Sequence, residues 1–305
     1  MKTSLLKFCQ DKAWRKQFIR YWLLDPFWGG LDLMCHYSFR LMPLSVPQKI
    51  GAFLGELAGK YRFQKANQRA EHCLKLLKPD LSDADRAQLL LAMWRNIGRT
   101  MSEYSIADLL WKDGRVTTEN ADVIKRCREQ KRPIIFVTAH LGNWEVISGY
   151  CIDNNLDSLS LYQPERNRFV TQLAEKSRKK LGTRTVAAGR QALRRMSQHL
   201  TQGHVVWLAI DEYKKGRVWG PLLGRDLDTR SSNAAYAVRL AQRHHAAIIP
   251  YRTERKPLSH FVVTFYEPLF VNNNADEIRS ALDKQVESWV REHPEQWYML
   301  HEFRS

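Results

Sequence analysis

The chain has 305 residues, enough for one large domain or two small ones with an ample core. Apolar residues make up 44%, which excludes a disordered chain, and 48 Lys plus Arg against 32 Asp plus Glu give a formal charge of +16. A basic excess of that size points to anionic partners: nucleic acid, a phospholipid surface, phosphorylated substrates or an acidic carrier protein.

The N-terminus lacks a small-residue cleavage site, so no signal peptide is expected. No apolar run approaches the roughly 18 residues of a membrane span. The first 65 residues nonetheless differ from the rest. "FIRYWLLDPFWGGLDLMCHYSFRLM" is crowded with aromatics and interrupted by Asp25, Pro26, Gly29 and Gly30. "SVPQKIGAFLGELAGKYRFQK" reads as a helix with Ile50, Phe53, Leu54 and Leu57 on one face and Lys60, Arg62 and Lys65 at its end. Short amphipathic helices rich in aromatics and basic residues suit a membrane interface, and equally suit a helical subdomain packed on a core. Residues 1–65 are therefore set apart as a membrane-associating region, and residues 66–305 as the catalytic domain.

"ANQRAEHCLKLLKPDL" and "DADRAQLLLAMWRNIGRTMSEYSIADLLW" follow the helical period, with "SDAD" as a helix start. "TTENADVIKRCREQK" reads as another helix. From Pro133 the pattern changes. "PIIFVTA", Ser158–Pro164, Val205–Asp211, Ala246–Glu254 and Phe261–Val271 read as strands. Helical segments "FVTQLAEKSRKKLG", "RQALRRMSQHLTQG" and "SNAAYAVRLAQRHH" lie between them, and "DEIRSALDKQVESWVREHP" closes the chain. Alternation of this kind predicts an α/β fold with a mixed, largely parallel central sheet flanked by helices. The five cysteines form no C-x-x-C pair and read as reduced thiols.

Open α/β sheets gather their chemistry at the carboxyl ends of strands. There "TAHLGNWEV" places His140, Asn143 and Glu145. Asn143 is suited to cap the following helix, with Glu145 in its first turn. Residues five apart on one helix lie about 140° apart. His140 and Glu145 can therefore meet only if the histidine is still in the turn, which Gly142 permits. Glu145 would then fix the tautomer of a general base. A lone H-x4-E pair also arises by accident, with His140 ending a strand and Glu145 decorating a helix start. Asp211-Glu212, at the end of another strand, reads as shaping the site or anchoring a loop. His244-His245 diverge by about 100° on a helix, so no metal is expected there. P-loop, α/β-hydrolase and Rossmann motifs do not occur.

"AHLGNWE" resembles the H-x4-D/E motif of the glycerolipid acyltransferases, in particular the late acyltransferases of lipid A biosynthesis. "YQPERN" (Tyr162–Asn167), "VVWLAIDE" (Val205–Glu212), "GPLLGRDLDTRSSNAAYAVRLAQRHHAAIIP" and "HPEQWYMLHEFRS" (His293–Ser305) resemble further family segments in order. The likeness covers nearly the whole chain. It departs at Gln163, where the family has arginine, at Glu212, at Arg230 and at His301-Glu302. The resemblance implies an O-acyltransferase without a cofactor. It would use His140 as general base with Glu145, an acyl carrier protein or acyl-coenzyme A donor, and a phosphorylated glycolipid acceptor, by default a lipid A precursor. Another glycolipid or a lyso-lipid is the alternative acceptor. Asn143, Arg166, Arg168, Arg184, Asp211 and Glu212 are the candidate substrate-binding residues. The setting implied is the cytoplasmic face of the inner membrane, against anionic lipid. A nucleic-acid partner, argued only from the charge, is not expected, because basic residues are spread along the chain and aromatics concentrate at its start.

Overall fold

The computed structural model describes residues 11–164, 167–189, 191–272 and 274–304. Cys9 and Arg166 lie outside the described residues. The chain begins with α1 (Lys12–Ile19), a π-helical turn (Arg20–Leu24) and α2 (Asp25–Arg40). Asp25 and Pro26 do not break the chain. Proline is tolerated in the first turn of α2, where its missing N–H costs nothing, and the wide turn before it absorbs the change of geometry. Helices α3 (Ser45–Tyr61), α4 (Gln64–Leu77), α5 (Asp83–Glu103) and α6 (Ala107–Lys112) follow. Ser82 caps α5 by accepting from the Asp85 amide at 3.1 Å.

The α3 helix buries the face opposite its apolar stripe. Gly51, Gly55 and Gly59 press on α5 so closely that a Cβ on Gly55 would meet the Trp94 carbonyl oxygen at 2.2 Å. A Cβ on Gly98 of α5 would meet the Gly51 oxygen at 1.9 Å. Phe53 (64%) and Leu54 (54%) are left exposed. Glycine, with no side chain to keep the axes apart, is what lets the backbones touch.

The central sheet is built from β1 (Val116–Glu119), β2 (Ile134–Thr138), β3 (Ser158–Tyr162), β4 (Thr183–Ala187), β5 (Val205–Ala209), β8 (Ala247–Lys256), β9 (His260–Phe265) and β10 (Leu269–Phe270). A separate hairpin pairs β6 (Tyr213–Lys214) with β7 (Arg217–Val218). The order is β1-β9-β8-β2-β5-β3-β4, with β10 also on β8. Pairing is parallel except β8 with β9 and β10 with β8. Between strands run α7 (Asp122–Glu129), α8 (Ile147–Asp153), α9 (Arg168–Lys180), α10 (Ala192–Thr201) and α11 (Asn233–His244), and α12 (Ala275–Glu292) follows the sheet. Along β2, Ile135 and Val137 enter one core and Ile134 and Phe136 the other, so the sheet is covered on both faces. Among the described residues no helix is long and apolar enough to cross a membrane.

Candidate active site

β2 and β5 run side by side in parallel, with Thr138 level with Ala209. Their exits are therefore adjacent, and the loop leaving one strand meets the loop leaving the other. His140 leaves β2 and Asp211 leaves β5. The His140 ring Nδ1 lies 2.7 Å from Asp211 Oδ1, and the His140 backbone amide donates to Asp211 Oδ2 at 2.8 Å. Trp297 Nε1 donates to the same Oδ2 at 2.9 Å. Asp211 is fully buried, and two donors besides the ring hold its carboxylate in one orientation. A carboxylate only accepts, so Nδ1 carries the proton and Nε2 is the basic nitrogen. Nε2 makes no hydrogen bond to the described residues, and the ring retains 21% of its exposure.

The Glu145 expectation is corrected on this point. Its carboxylate is committed elsewhere, to Arg178 Nη2 at 2.6 Å and to the Tyr104 hydroxyl at 3.1 Å. It lies in a short 3₁₀ turn (Trp144–Val146) capped by Asn143, whose side chain accepts from the Glu145 amide at 3.1 Å. The capping expectation and the turn at Gly142 (φ +57°) both hold. What fails is the direction of the side chain: the 3₁₀ turn aims Glu145 at α9, and the nearer end of β5 supplies the ring's partner first. Burial by itself would lower the Arg178 guanidinium, and only the charges and hydrogen bonds of Glu145 and Tyr104 together outweigh it and hold it raised. Burial, then the Glu145 charge, pushes the Tyr104 hydroxyl well above its ordinary value.

The histidine loop is fastened from below and from the C-terminus. Thr100 Oγ1 donates to the Gly142 carbonyl at 2.9 Å, and Asn143 Nδ2 donates to buried Glu103 at 3.0 Å. Arg255 completes that network by donating to Glu103 Oε2 at 2.9 Å. The Tyr298 amide donates to the His140 carbonyl at 2.8 Å, and the Gly142 amide to Gln296. Trp144 stands edge-on to the imidazole with centroids 4.6 Å apart. The amides of His140, Leu141, Gly142 and Glu145 are all engaged, so the turn does not offer them as oxyanion donors.

The other candidates separate clearly. Asn143 is occupied by Glu103 and Glu145 and serves the loop. Glu212 accepts from the Asn233 amide at 2.8 Å and anchors the start of α11. Part of Glu212 reaches the surface, but its Oε2 is buried without a partner among the described residues. Burial raises its pKa to about 8, so it is neutral near pH 7. Arg168 stacks on the Tyr21 ring at 3.8 Å and donates to the Tyr21 carbonyl at 2.9 Å, so it ties α9 to the N-terminal helices. Arg184 lies at the opposite end of the sheet. Thr183, Ser158, Val205 and Ile134 are level with one another, and Ile134 is four residues before Thr138, roughly 13 Å. Trp207 and Trp297 are buried, and Trp297 is the functional residue that sequence reasoning missed. The closing segment carried a family resemblance but no spacing that could reveal its hydrogen bond to Asp211.

The arrangement is a buried carboxylate, an oriented imidazole and a free basic nitrogen at the carboxyl ends of parallel strands. It is equipped to remove a proton from a hydroxyl and return it. A model of the family described as bacterial lipid A biosynthesis acyltransferase matches residues 10–304. Among curated proteins no match is found.

Proposed function

The chain belongs to the bacterial lipid A biosynthesis acyltransferase family, and from that premise we propose that it moves a fatty acyl chain from an acyl carrier protein thioester to a hydroxyl of a lipid A precursor at a membrane surface. The observation that carries the mechanism is the 2.7 Å contact between His140 Nδ1 and buried Asp211. Asp211 holds Nδ1–H, and Nε2 removes the proton of the acceptor hydroxyl. The alkoxide attacks the thioester carbonyl, the tetrahedral intermediate expels the thiolate, and the imidazolium returns its proton to that sulfur. The carboxylate beside the ring offsets the imidazolium charge in both steps. No acyl-enzyme is required, because the acceptor supplies the nucleophile.

Glu145 has a supporting part in this reading. Bonded to Arg178 and Tyr104, it braces the wall behind His140. The net charge of +16 suits an acidic carrier protein and a phosphorylated lipid, both of which a basic surface draws in. The exposed faces of α1 to α3 suit the cytoplasmic leaflet. Trp22, Leu23, Phe27 and Trp28 are all more than half exposed. Rings of this kind sit well at the boundary between headgroups and acyl chains.

The test is acyl transfer in liposomes, with long-chain acyl carrier protein as donor and a tetra-acylated lipid A precursor as acceptor, followed by product mass. Wild type is expected to yield the acylated product, and His140→Ala to lose at least roughly a hundredfold in rate. Equal product from both would remove the role given to His140. Product only with a lyso-lipid or another glycolipid would move the acceptor, and Gln163 would be the first residue to exchange for arginine.

A further inference from the structure

A second cluster of ligand-type side chains lies at the far end of the sheet. Asp157 precedes β3, His199 is in the last turn of α10, and His204 precedes β5. His199 Nε2 is 3.7 Å from Asp157 Oδ1, and His204 Nε2 is 3.7 Å from Asp157 Oδ2. The three ligand atoms all lie within 4.8 Å of one another. A tetrahedral zinc ion with bonds of roughly 2.0–2.1 Å has ligand-to-ligand edges of about 3.4 Å. Each histidine faces a different oxygen of Asp157, so for ligation through one oxygen a single 3.7 Å edge needs to shorten by a few tenths of an ångström, and the other two, within 4.8 Å, by up to about 1.4 Å. The sequence hides the group, since its members come from two loops and a helix end.

We propose that Asp157, His199 and His204 form a zinc site, with water completing the tetrahedron, that fastens the loop before β3 to the turn between α10 and β5. Two imidazoles and one carboxylate select zinc over magnesium or calcium, which take oxygen ligands. The site takes no part in acyl transfer, because its strand ends are opposite those that carry His140.

A simpler account is a plain hydrogen-bonded ion pair, and the contacts define what distinguishes the two. His199 Nε2–H donates to the Asp157 carbonyl at 3.1 Å, and Arg184 Nη2 lies 3.0 Å from Asp157 Oδ2. Ligation moves the His199 proton from Nε2 to Nδ1 through solvent, with no change in net charge. The Arg184 side chain is 66% exposed and free to swing away from the carboxylate. An ion and Arg184 thus compete for one carboxylate, whereas a plain ion pair needs Arg184.

The experiment is titration of the purified full chain in detergent with cobalt(II), a spectroscopic stand-in for zinc, reading the visible ligand-field bands of tetrahedral nitrogen–oxygen ligation. Wild type is expected to bind a single equivalent that zinc displaces, and zinc is expected to raise its melting temperature. His204→Ala is expected to abolish the band and the thermal shift, and Arg184→Ala to tighten binding. His204 is over a third exposed, so its removal spares the core, and His204→Gln is a second variant that keeps a polar side chain. His244→Ala controls for other surface histidines and is expected to leave the band unchanged. Absence of the band in wild type, its survival in both His204 variants, or weaker binding in Arg184→Ala would each overturn the proposal.

Discussion

Two buried carboxylates stand close to His140 in the chain fold, and only one touches its ring. Asp211 holds Nδ1, while Glu145 faces Arg178. Their replacements should therefore fail in different ways. Asp211→Asn keeps the shape but lets the imidazole take the wrong tautomer, so kcat is expected to fall roughly 10²–10⁴-fold with the melting temperature little changed. Glu145→Gln leaves Arg178 as an uncompensated buried charge, which is expected to cost about 3–5 kcal/mol of stability. If instead Asp211→Asn were near wild type and Glu145→Gln inactive yet fully stable, the base would be oriented by Glu145. Glu212 gives a pH test. Its folded pKa of about 8 exceeds the ordinary 4.5, so folding favours its protonated form. That advantage is complete below pH 4.5 and is lost as pH rises from 4.5 to 8, because the unfolded chain ionises first. Glu212→Gln keeps the acceptor for the Asn233 amide and removes the penalty. Its stabilisation is expected to be near zero at pH 4.5 and to grow to at most about 3 kcal/mol at pH 7. A gain equal at both pH values would show that Glu212 is already ionised in the fold. Of this site, His140 and Asp211 were both visible in the sequence as polar residues leaving apolar strands. Their pairing was not, because 71 residues separate them and only the β2–β5 register brings them together.

Among the elements, the inner strands of the sheet were legible in the sequence and the edge strands were not. β2 and β5 carry continuous apolar runs, β8 opens with one and β3 alternates leucine with buried serine, whereas β1 (Val116–Glu119) and β4 (Thr183–Ala187) are four- and five-residue edge strands with few apolar side chains. The segment read as one strand from Phe261 to Val271 is divided between β9 and β10, around Tyr266–Pro268. The single helix expected through Tyr104 is two, α5 and α6, and the break between them presents Tyr104 to Glu145. The α3 stripe was read correctly as one apolar face, but hydrophobicity alone does not say which face packs. Glycine spacing does: Gly51, Gly55 and Gly59 recur every four residues, the first two against Gly98 and the third against the Trp94 ring. Gly98→Val is therefore expected to lower stability by about 1–3 kcal/mol or more through overpacking. Phe53→Ser, on the open face, is expected to leave the melting temperature in detergent unchanged within error. Loss of stability in Phe53→Ser would mean that the apolar stripe is covered within the protein.

For the molecule as a whole, the question is how a chain without a spanning helix among its described residues meets a lipid substrate. Tyr21, Trp22, Phe27, Trp28 and Tyr37 make the π-turn and α2 rich in exposed aromatics, with Phe27 at 66% and Trp28 at 54% exposure. This surface is tied directly to α9, which packs beside the sheet. Asn167 donates to the Asp25 carbonyl, Arg168 stacks on Tyr21, and a Cβ on Gly29 would meet Phe169 at 2.4 Å. All three contacts are made by the start of α9, and Arg178, ten residues on, grips Glu145 beside the histidine loop. Ten residues of helix span about 15 Å. A lipid-docked N-terminal surface would thus be held at a fixed, short distance from His140, within reach of an acceptor still seated in the leaflet. Docking should have an apolar and an electrostatic part. Burying two half-exposed rings contributes roughly 2–3 kcal/mol, about a hundredfold in affinity. Phe27→Ser with Trp28→Ser is therefore expected to weaken sedimentation with anionic vesicles by about that factor, while circular dichroism is unchanged. Added salt is expected to weaken binding of wild type and double variant alike, because screening acts on the +16 charge and not on the rings. Vesicle binding that salt abolishes completely, and that the double variant does not weaken, would assign the contact to charge alone and leave the aromatic surface for another partner.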